Sequence, residues 1–129
     1  MRFGQFIKTK RLKDPRELTL KDVSAALGLS LSMLSDIEQS RRKAFDDEKI
    51  VKLCEFLNLG DEDLALMRDL AAKDKGEIPA DIEDKMMYSD VGEMARYALR
   101  ITNSGSGSEA AWKRLIRELE EINKGESGD

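Results

Sequence analysis

Residues 19–40, TLKDVSAALGLSLSMLSDIEQS, decide how this chain is read. The segment spells two short helices joined by a tight turn at Gly28. Leu20, Val23 and Leu27 share one face of the first helix. Leu34 and Ile37 share one face of the second, and Leu29 closes the turn. Thr19 is a good N-cap, with Asp22 three residues later to reciprocate. Gly28 can take the left-handed conformation that ends a helix, and Ser30 can cap the next one. Ser24, Ala25 and Ala26 are small where two steeply crossing helices must come close.

Working outward, residues 2–13 read as a helix with Phe3, Phe6 and Ile7 inward. Asp14 precedes Pro15 and is pushed out of the helical region, so that helix ends there. Residues 40–43 form a basic loop. A fourth helix is expected over 47–57, with Ile50, Leu53, Cys54 and Leu57 on one side. The run Asn58, Leu59, Gly60 stops it, and Asp61 reads as the N-cap of a fifth helix whose inner stripe is Leu64, Met67, Leu70 and Ala71. Residues 1–72 therefore make one five-helix domain. The polar run KDKGEI, 73–78, reads as a linker. Pro79 suits the first position of a sixth helix ending near Met87. Asp90 and Glu93 read as the cap pair of a seventh, running to Ile101. A flexible Ser/Gly connector over 103–108 should precede an eighth helix over 109–123. Trp112, Leu115, Ile116, Leu119 and Ile122 fall on one face of that helix, and residues 125–129 should form a flexible tail. The fold class is all-α, with residues 79–124 as a small helical extension.

The bulk properties narrow the chemistry. The chain has 129 residues, 40% hydrophobic and 37% charged, as in a helix-rich protein. No apolar run approaches the roughly 20 residues of a membrane span. The single Cys54 cannot form an intrachain bridge, which fits a reducing cytoplasm. There is no His, so imidazole bases, triads and the usual zinc sets are excluded. No carboxylate pair stands apart from ordinary helix-face charge, so no enzyme, metal or cofactor is expected. The net charge of −4 is unevenly spread: residues 1–45 hold ten Lys/Arg against five Asp/Glu, net +5, and the remainder is net −9. A basic front with an acidic rear fits a nucleic-acid face on one side.

Phe3, Ile7 and Arg11, followed by Thr19, Leu20, Val23, the run Leu27-Gly28-Leu29-Ser30, Leu34, Ser35, Ile37 and Glu38, resemble the XRE-type, lambda-repressor-like helix-turn-helix domain. The later residues IPADIEDKMMYSDVGEMARYALRIT and AAWKRLIRELE look like the C-terminal extension of regulators carried on prophages and other mobile elements. The resemblance implies a DNA-binding transcriptional regulator whose second motif helix enters the major groove. It places Ser30, Leu31, Ser32, Ser35 and Asp36 at base-reading positions. This is an unusual set, since it contains no Arg or Gln for a bidentate base contact. Lys10, Lys13, Arg16, Leu20, Lys21, Gln39, Arg41, Arg42 and Lys43 are expected at or near phosphates, with Leu20 limited to its backbone N–H. Arg11 and Glu38 match a structural ion pair of the family.

One such domain covers a half-site, so the resemblance implies a homodimeric repressor on a palindromic double-stranded operator. Four of the six Met lie between Met67 and Met94. Met87, Met94, Tyr97, Trp112, Ile116 and Leu119 are the expected dimer or partner surface. The alternative is an antitoxin that grips a toxin with its C-terminal helices and autoregulates its operon. A regulatory metallopeptidase is a further partner that the resemblance suggests.

Overall fold

The structure is a computed structural model that describes residues 1–127, whose regular structure is all helix, without strands. The helices are α1 (Phe3–Lys13), α2 (Leu20–Leu27), α3 (Leu31–Glu38), α4 (Asp47–Phe56), α5 (Asp61–Lys75), α6 (Glu83–Tyr88), α7 (Asp90–Ile101) and α8 (Ser106–Ser127). They divide into two units, Met1–Asp84 and a second that begins at Lys85.

At α2 and α3 the caps lie where the sequence puts them. Thr19 Oγ1 accepts from the Asp22 N–H at 3.1 Å, and Asp22 Oδ2 accepts from the Thr19 N–H at 2.9 Å, a closed capping box. Gly28 is left-handed at φ 69°, and Ser30 Oγ accepts from the Met33 N–H at 3.1 Å. These caps satisfy otherwise orphaned backbone donors and fix where the two short helices start.

One apolar core fills the middle of this unit. Phe3, Val23, Leu34, Ile37, Leu53 and Met67 are its most deeply buried large side chains. Leu20, Leu29 and Leu64 pack against it while only partly buried. Phe45 also belongs to this core and stands edge-on to Phe3, with ring centroids 5.2 Å apart. It lies in a loop, where helical periodicity gives no signal. Gly4 permits α1 to touch α3: a Cβ there would lie 2.0 Å from the Ile37 carbonyl oxygen.

Several boundaries differ from those read in the sequence. Asp61 is the first residue of α5 rather than its cap, a position taken by Gly60. The proposed linker begins too early, because Lys73, Asp74 and Lys75 form the last turn of α5. Lys75 Nζ donates to the Phe45 carbonyl at 3.2 Å, and left-handed Gly76, φ 67°, ends the helix. Pro79 lies in a turn, and α6 begins only at Glu83. Ser89, not Asp90, caps α7, its Oγ accepting from the Gly92 N–H at 2.9 Å. Ser106, Gly107 and Ser108 of the expected connector are already helical. At the other end, residues 125–127 of the expected tail are helical, while 128–129 lie outside the described residues.

The second unit has no comparable core. Gly92 is its one buried residue among those described, pressed against α6, where a Cβ would lie 2.1 Å from the Lys85 carbonyl oxygen. Arg96 also donates to the Met86 carbonyl, so α6 and α7 form a fixed corner. Trp112 Nε1 donates to Thr102 Oγ1 at 2.8 Å and ties the start of α8 to the end of α7. Beside that bond is an open, mainly apolar hollow of about 260 Å³, lined by Ala98, Ile101, Ala111 and Leu115 among others.

Candidate nucleic-acid interface

The geometry of α3 follows from what it buries. Leu34, Ile37 and Glu38 turn inward, Ser35 and Asp36 are half-buried, and Leu31 and Ser32 are exposed. Helical spacing therefore brings Leu31, Ser32, Ser35 and Asp36 to one accessible stripe. Ser30 is exposed at the head of the helix, but its hydroxyl is occupied by capping.

Arg11 fixes this helix from behind. Its Nε donates to Glu38 Oε2 at 2.8 Å and its Nη2 to Glu38 Oε1 at 2.9 Å, while Nη1 donates to the Leu18 carbonyl at 3.0 Å. The guanidinium thus links α1, the loop before α2 and the end of α3. The bonds to Glu38 raise the Arg11 pKa above its ordinary value, despite the opposing effect of burial. A buried pair of this kind defines geometry because its planar fork accepts one arrangement.

The accessible stripe carries two local links. Gln39 Nε2 donates to Ser35 Oγ at 3.0 Å. Arg41 donates to Asp36 Oδ1 from both Nε, at 3.2 Å, and Nη2, at 3.1 Å. The chain reversal at Ser40 makes the second link possible. Ser40 is left-handed at φ 61°, and the Arg41 N–H donates to the Asp36 carbonyl at 2.8 Å. This is a helix-ending closure with Ser where Gly is the usual residue. No glycine marks this closure in the sequence, and nothing there points to the Asp36–Arg41 pair.

Besides Gln39 and Arg41, the expected phosphate-contact residues fall into three groups. Lys13, Lys21, Arg42 and Lys43 are exposed and take part in no ion pair among the described residues. Leu20 opens α2 and turns its side chain toward the core. The third group is committed within the domain. Lys10 pairs with Asp63 on α5 at 3.3 Å and lies over the Phe6 ring. Arg16 donates to both oxygens of Asp14, at 2.9 and 2.8 Å, and to the Phe56 carbonyl at 2.6 Å, with its cation over the Phe56 ring. Those bonds hold the Asp14 carboxyl down at about 2, well under its ordinary 3.8.

In the second unit, Met87, Met94, Tyr97, Ile116 and Leu119 are exposed, and Trp112 is half-buried at the junction of α7 and α8. No helix among the described residues is long and apolar enough to cross a membrane. Burial raises the Cys54 thiol pKa, and Cys54 Sγ lies 3.4 Å from the Leu59 carbonyl oxygen.

A family model described as Helix-turn-helix matches residues 7–64, the stretch from the middle of α1 to the first turn of α5. A comparison with curated proteins gives no match, and one with solved structures gives none.

Proposed function

Residues 7–64 belong to the XRE-type helix-turn-helix family, which makes the chain a DNA-binding transcriptional regulator, and from that premise we propose that it is a dimeric repressor of a palindromic operator. The observation that carries this reading is the accessible stripe of α3, presented on a helix that Arg11 and Glu38 hold rigidly. In this reading α3 enters the major groove and reads bases with Ser32, Ser35 and Asp36, with Leu31 against a thymine methyl. Lys13, Lys21, Arg42 and Lys43 supply the phosphate charge, and the free cations of the 40–43 loop carry much of the affinity. A repressor of this kind excludes polymerase from an overlapping promoter and needs no catalysis.

The dimer is supported by apolar surface. Eleven large apolar side chains from Met87 to Ile122 are at least 41% exposed. Uncovered apolar side chains in this number mark an interaction surface. A stable interface takes about 800 Å² from each partner. These faces on α6, α7 and α8 also suit an antitoxin's grip on a toxin, and a short toxin-like frame beside the gene would favour that second reading.

The test is DNA binding by the full chain to its own upstream region, measured against random DNA of equal length at rising salt. A repressor selects one palindromic fragment, loses affinity steeply with salt, and sediments as a dimer without DNA. Indifference to sequence at moderate salt would end the repressor reading. A monomer that binds half-sites only would end the dimeric one and favour an unrelated partner for α7 and α8.

A further inference from the structure

The recognition stripe offers no Arg within α3, yet a guanidinium stands on it. Arg41 follows the helix, and the left-handed Ser40 folds it back so that its side chain meets Asp36. We infer that Arg41 is a base-reading residue that takes guanine in the major groove, with Asp36 as the group that positions it. The inference rests on the DNA-binding reading above and assigns a specificity-determining residue within it.

Guanidinium geometry supports this directly. The group presents two usable edges, one formed by Nε and Nη2 and the other by Nη1 and Nη2. Asp36 occupies the first, since both bonds to Oδ1 come from Nε and Nη2. The second edge remains open, because Nη1 donates to no partner among the described residues. That open edge has the two-donor spacing that matches guanine O6 and N7, the commonest specific side-chain contact to DNA. A lone flexible Arg at the rim would lose much rotamer freedom on binding. One already braced by a carboxylate loses less, so more of the contact appears as affinity.

The same pair resolves the difficulty posed by Asp36. An unpaired carboxylate on a groove-facing helix repels phosphate. Held 3.1 Å from Arg41 Nη2, its charge is offset by the guanidinium and it becomes a brace. A simple phosphate contact would need none of this, since neighbouring Arg42 and Lys43 are exposed and unpaired.

The experiment uses the full chain. Selection from a randomised double-stranded DNA library defines the preferred site. Each position of that site is then substituted singly, and binding is measured for wild type, Arg41→Ala, Arg41→Lys and Asp36→Asn at two salt concentrations. Circular dichroism checks folding of the variants, which alter exposed or half-exposed groups. The expected result is one guanine per half-site whose replacement costs wild type about 10- to 100-fold. Arg41→Ala and Arg41→Lys should erase that single preference while leaving the others, and Asp36→Asn should weaken it. Lys retains the charge without the fork, so its failure to rescue separates base reading from charge. A uniform loss on every sequence from Arg41→Ala, rescued by Lys, with a salt slope reduced by about one, would make Arg41 a phosphate contact and overturn the inference alone. Absence of any sequence selection in wild type would overturn the DNA-reading premise and this inference with it.

Discussion

Glu38 is the residue on which the orientation of α3 most depends. Its carboxylate is nearly inaccessible and receives two bonds from one guanidinium. Glu38→Gln or Arg11→Met leaves one buried charge without its partner, and urea denaturation should show a loss of about 3–5 kcal/mol. The double substitution Arg11→Met with Glu38→Leu removes both charges and should recover much of that loss. Asp14 gives a separate pH signature. Its pKa is lower in the folded chain, about 2, than its ordinary 3.8, so its contribution to stability is complete above that ordinary value. The contribution disappears as pH falls through the folded value. Thermal melts of Asp14→Asn should therefore lack part of the stability loss that wild type shows between about pH 4 and 2. At this scale the sequence was legible where a pairing matches the family pattern, as with Arg11 and Glu38. It was illegible where a side chain is redirected by the backbone. Ser40 carries no mark of its left-handed conformation, so Arg41 reads as an ordinary loop cation. Arg16 reads the same way because Phe56, its partner, lies 40 positions further along.

Two glycines govern how elements meet. At Gly4, α1 and α3 approach at backbone distance, and Gly4→Ala would drive a methyl into the Ile37 carbonyl. Overpacking of this kind typically costs about 1–3 kcal/mol, which chemical denaturation should detect as a lower midpoint at unchanged slope. At Gly92 the same clash arises with α6. Gly92→Ala should loosen the corner between α6 and α7, raising amide exchange over residues 85–96 while leaving residues 1–72 protected. Neither glycine is at a turn, so neither looks special in the sequence. Helix interiors were legible from the apolar stripes of α1 to α5. Helix ends were less so, for physical reasons that differ by site. The last turn of α5 persists past its apolar stripe because Lys75 is anchored on the Phe45 carbonyl. The start of α8 draws in Gly107 and Ser108 because Trp112 and Thr102 hold that end in place.

For the chain taken together, the two units solve opposite problems. Met1–Asp84 buries its apolar residues among themselves, and its basic excess falls in the first 45 residues. From Lys85 onward the apolar residues keep the helical periodicity that the sequence shows, yet the structure leaves them exposed. Periodicity identifies which face is apolar but says nothing about what covers it, so the expected interface was legible as a pattern and not as a contact. Ile116→Glu combined with Leu119→Glu should lower the mass measured by sedimentation from dimer to monomer. Affinity for a palindrome should fall, while affinity for an isolated half-site and the unfolding of the first unit stay as in wild type.

The enclosure of Cys54 bears on the chemistry open to the first unit. Its thiol is buried, pushed above its ordinary pKa and held beside the Leu59 carbonyl, so it is slow to form the thiolate that oxidants attack. With no histidine in the sequence, no imidazole is available to titrate near neutrality. The one sulfhydryl of this unit therefore serves as packing, a small apolar volume between α4 and the turn that leads into α5.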